Sequence, residues 1–294
     1  MATPNPGAAG TPTNPTPPGT IGSGTPPAPG VAPSPVGPPP SRRKTWTVVV
    51  AAAVAVIVVV AVLALAGVFS PGSSGSGSTG TPAPFSSAVP AAISAAQAAP
   101  GGPWTVVAAE GVAVASEVPA TNESTIGGGG CTYTPVSGEP SQVSIPATPH
   151  GATAGEVSVW VFFAKNASSN SLLFLSVLNG QATALGVVSG CAAVTDFVGL
   201  GAISASGVLD STTVASDFNQ NGGGAFLENN SWQVQLFILI GPSADTGGAA
   251  VWDIMYSTCG LTSIGGAGAW ISGFYYASSG SAVTPPVPGS GTCG

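Results

Sequence analysis

The stretch Glu156-Val157-Ser158-Val159-Trp160-Val161-Phe162-Phe163 decides the fold class. A strand sends successive side chains to opposite faces, and here both faces are largely apolar. That predicts a strand in the middle of a sheet. Its counterpart is Val251-Trp252-Asp253-Ile254-Met255-Tyr256, where Trp252, Ile254 and Tyr256 alternate with Asp253. Each is followed by a hairpin. Residues 172–178 turn through Asn179-Gly180, a dipeptide suited to a type I′ turn, into residues 183–188. Residues 270–276 turn through Ser279-Gly280 into Ala282-Val283.

Working outward, a helix precedes each set. Ser87-Ala88-Val89-Pro90-Ala91-Ala92-Ile93-Ser94-Ala95-Ala96 puts Val89, Ile93 and Ala96 on one face, with Ser87 as the cap, Pro90 in the first turn and Pro100 as the stop. Gly101-Gly102 and a strand opening at Trp104 follow. The second helix starts at the N-cap Asp210, carries Val214 and Phe218 four apart, and ends at Gly222-Gly223. A strand then opens at Trp232. The order helix, strand, strand, strand, used twice, predicts an α+β fold of two helix-on-antiparallel-sheet lobes, residues 86–204 and 205–294. An insertion between Gly111 and Gly155, rich in Gly and Pro, belongs to the first copy alone. Trp104, Trp160, Trp232 and Trp252 occupy matching places, which favours core packing over a carbohydrate-binding groove.

The N-terminal part has a different character. Residues 1–41 contain 14 prolines and almost no large apolar side chains, a composition expected to remain disordered. Residues 45–69 are free of charge and rich in Val and Ala. As a helix they would extend roughly 37 Å, enough to cross a hydrocarbon core of about 30 Å. Arg42, Arg43 and Lys44 precede this run, and the next basic residue is Lys165. The positive-inside rule therefore predicts a single span over 42–69 with a cytoplasmic N-terminus, its bilayer contact through residues 45–69, and an extracellular C-terminal part. Ala64-Leu65-Ala66 has the form of a signal-peptidase site, but the apolar run exceeds the roughly 7–15 residues of a signal peptide, so retention of the span is the expectation. Residues 70–85 read as a flexible linker of Gly, Ser, Thr and Pro.

Beyond the linker, one Lys stands against eleven carboxylates. Such a surface repels nucleic acid, so no nucleic-acid partner is expected. The four cysteines, Cys131, Cys191, Cys259 and Cys293, are too widely spaced for a zinc site and read as two disulfides. Three connectivities are possible; Cys131–Cys191 with Cys259–Cys293 is favoured because each bridge then closes within one lobe. Asn122, Asn166 and Asn229 open glycosylation sequons in stretches that read as loops.

The stretches Trp252 to Ser257 and Phe274-Tyr275-Tyr276-Ala277-Ser278-Ser279-Gly280-Ser281-Ala282-Val283 resemble the Trp-bearing strand and the hairpin of the PepSY and cystatin-like families, with Ser278 and Ser279 standing where those families carry residues such as Asp and Thr. The chain also resembles membrane-anchored Ala/Gly/Val/Thr-rich exoproteins of high-GC prokaryotes. The first resemblance implies inhibitory or binding modules; the second implies a surface location and no activity.

Catalytic chemistry finds few candidates. Asp210 and Asp217 are the closest acidic pair and could in principle serve a carboxylate hydrolase, but Asp210 reads as an N-cap and Asp217 as a solvated residue. Lys165 could act only in a Ser/Lys arrangement, and its surroundings read as a hairpin loop. His150, the one histidine, reads as an exposed loop residue. The Gly runs at 127–130 and 222–224 lack the Gly-Lys-Ser/Thr of a phosphate loop. The Pro-x-x-Pro occurrences at Pro15 and Pro35 follow from composition. The expectation is a noncatalytic, membrane-anchored extracellular domain without cofactor or metal, binding an extracellular protein or polymer. A protease-inhibitor-like module is the alternative, and an atypical carboxylate hydrolase the next. With one Lys and one His, the outer domain has few groups to ionise as pH falls, which predicts tolerance of an acidic exterior.

Overall fold

A computed structural model describes residues 81–118, 131–136, 144–149, 151–261 and 266–293. The expectations for the tail, the span and its flank, most of the linker, His150, Asn122 and the Gly run at 127–130 lie outside these residues. Among the described residues no helix is long and apolar enough to cross a membrane.

The fold is α+β, built on one antiparallel sheet. Helix α1 (Phe85–Ala98) leads into β1 (Thr105–Val114); β2 (Thr132–Pro135), β3 (Val159–Asn166), β4 (Ser171–Leu178) and β5 (Gln181–Ser189) follow. A short helix α2 (Ala192–Val198) precedes α3 (Ser211–Phe218), a π-helical turn at Asn219–Gly223 and α4 (Gly224–Asn229). Strands β6 (Val234–Ile240), β7 (Val251–Ser257), β8 (Ala267–Tyr276) and β9 (Ala282–Thr292) complete the chain. The spatial order is β2-β5-β4-β3-β1-β6-β7-β8-β9. The strands of the two sequence copies are thus the two halves of one sheet, joined where β1 pairs antiparallel with β6 from Ala108↔Ile240 to Val114↔Val234. They also share one core. Helix α1 and helix α3 lie over the same face, and a single apolar cluster runs from Phe85 through Trp160 and Trp252 to Tyr275.

The duplication is visible in atomic detail. Trp160 in β3 pairs with Gly111 in β1, and Trp252 in β7 pairs with Leu239 in β6. Trp160 donates its indole N–H to Ala83 O at 2.9 Å, two residues before α1 begins. Trp252 donates to Leu209 O at 3.1 Å, two residues before α3 begins. Each tryptophan therefore pins the entry of its own unit's helix onto the sheet. The two rings meet at 6.3 Å, and Phe85 sits edge-on to both, at 5.6 and 5.4 Å. Gly111 makes room for this: a Cβ there would lie 2.7 Å from the Trp160 ring.

Two local expectations need correction. Ser87 does not cap α1. The helix starts at Phe85 behind Pro84, and Ser87 Oγ instead donates to Pro84 O at 2.8 Å. Pro90 consequently lies in the second turn, not the first. Gly222-Gly223 does not end the second helix either; Gly222 (φ 124°) forms a kink in the π-helical turn, and the chain resumes as α4. The Asn179-Gly180 turn does carry the positive φ values of a type I′ hairpin, 52° and 75°.

The disulfides are Cys131–Cys191 and Cys259–Cys293, the pairing that sequence reasoning favours. The first ties the start of β2 to the end of β5, beside the pair Thr132↔Ser189. The second reaches from the end of β7 to the end of β9 across β8; a Cβ on Gly268 would meet Cys259 Sγ at 2.1 Å.

Candidate functional site

The candidate site lies on the sheet's other face, opposite α1 and α3. A second apolar cluster fills it, built from Val112, Val161, Phe163, Leu236, Ile238 and Val251 and covered by Ile145, Val194 and Phe197, with Val118, Val198 and Leu261 at its margin. Two carboxyl groups sit within this layer. Register puts Val161, Glu110, Ile238, Asp253 and Phe274 in one row across β3, β1, β6, β7 and β8. Glu110 and Asp253 are thus next-but-one neighbours with Ile238 between, about 9.5 Å apart at the backbone.

Both are sealed from solvent, at 0% and 4% exposure. Neither oxygen of Glu110 finds a hydrogen-bond partner, and neither does Oδ1 of Asp253. A buried polar group ordinarily has one, and a buried charge ordinarily has a counter-charge. Burial pushes the Glu110 carboxyl well above the usual range, and the nearby Asp253 adds to the effect. Burial raises Asp253 to about 7. Both groups are therefore held in the neutral acid form at low pH.

Glu110 and Asp253 were not singled out by sequence reasoning. Alternation of Asp253 with Trp252, Ile254 and Tyr256 is the usual mark of a sheet wet on one face. Here Val118 and Ile145 of the insertion and Val194 and Phe197 of α2 pack on the second face, and the polar positions Glu110 and Asp253 are buried. A usable signal was the lone acid inside Val-Val-Ala-Ala-Glu-Gly-Val-Ala-Val, residues 106–114.

The sequence-derived candidates are dispersed. Asp210 is the N-cap of α3, accepting from Ser211 N at 2.8 Å. It also accepts from Ser86 N at 3.0 Å and Ser86 Oγ at 2.8 Å, so one carboxylate caps both helices. Ser211 completes this junction, accepting from Phe85 N at 2.9 Å and donating to Gly155 O at 2.7 Å. Asp217 lies seven residues on, half-buried near Gly280. Lys165 belongs to β3 and not to a loop. Its amine donates to Val198 O at 2.9 Å and to Leu200 O, at the C-terminal end of α2, where a cation complements the helix dipole.

Of the sequons, Asn166 is not in an open loop. It is 4% exposed, donates to Gly101 O at 2.7 Å and accepts from Ser168 N and Ser169 N. Its amide is engaged by the α1–β1 turn on one side and by the β3–β4 hairpin on the other. Asn229, the last residue of α4, is exposed and donates to Ala225 O at 2.7 Å. The paired tryptophans Trp160 and Trp252 are core residues, Trp104 is buried and Trp232 half-buried. Among the described residues no group of three or more His, Cys, Asp or Glu is placed to hold a metal ion. The chain matches no family model, no curated protein and no solved structure.

Proposed function

We propose that the chain is a single-pass membrane protein whose disulfide-closed C-terminal domain, two copies of a helix-and-meander unit, lies outside the cell and acts as a noncatalytic binding domain for an extracellular protein or polymer. The tail (1–41) is cytoplasmic and the span is 42–69. The asymmetry of basic residues around the apolar run supports this orientation, and two disulfides fit an oxidising exterior.

The observation that carries the noncatalytic part is the placement of four polar groups, Asp210, Lys165, Glu110 and Asp253. Asp210 caps two helices, Lys165 caps a third, and the carboxyls of Glu110 and Asp253 are shut beneath a packed layer. A reacting group has to meet its substrate, and none of these four is presented to one.

A second reading, a protease-inhibitor-like module, is favoured by one observation. Each half consists of a helix followed by antiparallel strands, the arrangement implied by the resemblance to PepSY and cystatin-like families. Slowing of proteases in the culture medium by the full-length protein would favour it over a general binding role.

Topology is tested with epitopes at both ends. On treating intact cells with an extracellular protease, the C-terminal epitope should be lost and the N-terminal one retained. Survival of both until the membrane is permeabilised would refute the reading.

A further inference from the structure

We propose that Glu110 and Asp253 make the covered second face of the sheet proton-operated: the layer over it stays packed while both carboxyls are neutral and loosens when they ionise. Two carboxyl groups share one row of the central strands, three of their four oxygens have no hydrogen-bond partner, and the residues flanking them in that row are Val161, Ile238 and Phe274. Along the strands, their neighbours on the same face are Val112, Leu236, Ile240, Val251 and Met255. An isolated carboxylate in such a place is strongly unfavourable, and a fold avoids it by keeping the group protonated or by admitting water.

Among the described residues nothing charged offsets the pair. From β3 the charged group on this face is Lys165, two pairs beyond Phe163, and its amine is engaged by the carbonyls of Val198 and Leu200. Elsewhere among the described residues, Glu117, Asp196 and Asp245 are exposed, and Tyr133 lies partly buried at the margin near the Cys131–Cys191 bridge. Among the described residues the charge that acts on Glu110 is Asp253 itself, and it is repulsive. Ionisation of Asp253 near neutral pH therefore adds strain at Glu110 as well.

Backbone bonds hold the described ends of the covering insertion. Val118 and Ile145 exchange backbone hydrogen bonds of 2.9 and 3.0 Å, and Thr148 N donates to Val114 O at 2.8 Å. The strands beneath are locked into a nine-stranded ladder. The pair's ionisation is thus relieved most cheaply by opening the layer and not the sheet. This inference concerns the folded domain and does not depend on the membrane reading.

The test is hydrogen exchange on the full-length protein in detergent, at pH 5 and pH 8, with rates corrected for intrinsic pH dependence. The amides of Val118, Ile145 and Thr148 should exchange on the order of tenfold or more faster at pH 8, while the amides of α1 do not change. Asp253→Asn, and the double variant Glu110→Gln with Asp253→Asn, should abolish the difference. Equal corrected protection at both pH values in the wild-type protein would overturn the proposal, and that outcome needs no variant to fold. So would a pH difference that persists in Asp253→Asn. Recovery of protection at pH 8 on adding millimolar calcium would overturn it too, because the pair would then be a cation site.

Discussion

Gly111 is a position where a single methyl group decides the packing of both units. Trp160 lies against it, and the Trp160–Phe85–Trp252 cluster is seated on that contact. Gly111→Ala should cost about 1–3 kcal/mol by overpacking, whereas Gly266→Ala, where an added Cβ meets nothing within 4 Å, should cost little. Denaturant titration of the two variants separates them. The tryptophan pattern was legible in the sequence because an aromatic at matching strand positions reports a shared packing role. The glycine opposite it was not, since the partner of a residue across a sheet is set by register and leaves no local mark. Asp210 illustrates the same limit. Its role as the cap of its own helix follows from the Asp before an apolar-periodic run. Its second role, capping α1 from 124 residues away, exists only once the two units meet.

Capping and stapling operate at the scale of elements. Helix α1 begins behind Pro84, which has no side-chain hydrogen bond to offer, and takes its N-terminal partners from Asp210 and Ser211. Asp210→Ala should therefore uncap two helices at once and cost about 2–3 kcal/mol, more than the ~1 kcal/mol of a typical single cap. Equilibrium unfolding measures the loss, and a cost below about 0.5 kcal/mol would contradict the shared cap. The edges of the sheet are blunted in different ways. Strand β9 carries Pro285, Pro286 and Pro288, and β2 is four residues long. The disulfide across β8 ties the Pro-rich edge down. The double variant Cys259→Ser, Cys293→Ser should lose about 2–5 kcal/mol, and the first amides to lose protection should be those of β9. Strand β2 and helix α2 were not foreseen. Four and seven residues are too short for periodicity to register, and the Cys131–Cys191 bridge adjoins the start of both.

Across the whole molecule, two sequence units became one sheet through the pairing of β1 with β6, a nonlocal contact with no turn signal to announce it. The consequence is that the central strands are covered on both faces, and two acidic residues that alternation would leave in water are buried. Their carboxyls are raised in the folded state, so the stability they contribute is fully present below the ordinary carboxylate range. It is lost as pH rises through about 7, where Asp253 ionises. The melting temperature should accordingly fall by at least about 5 °C between pH 5 and pH 8, and Asp253→Asn should flatten the curve. Together with one Lys and one His among the chain's ionisable groups beyond the basic flank, this gives a domain suited to acid. A melting temperature that drops steeply between pH 6 and pH 3 would contradict that view.

We propose a disulfide-closed domain of two joined units held outside the cell. Its most direct test traps thiols with an alkylating reagent in intact cells, then maps cystine-linked peptides of the isolated chain by mass spectrometry without reduction. Peptides joined through Cys131–Cys191 and Cys259–Cys293, with no alkylated cysteine, are the expected result. Four alkylated thiols would contradict the extracellular placement, and a bridge between Cys131 and Cys259 would contradict the fold.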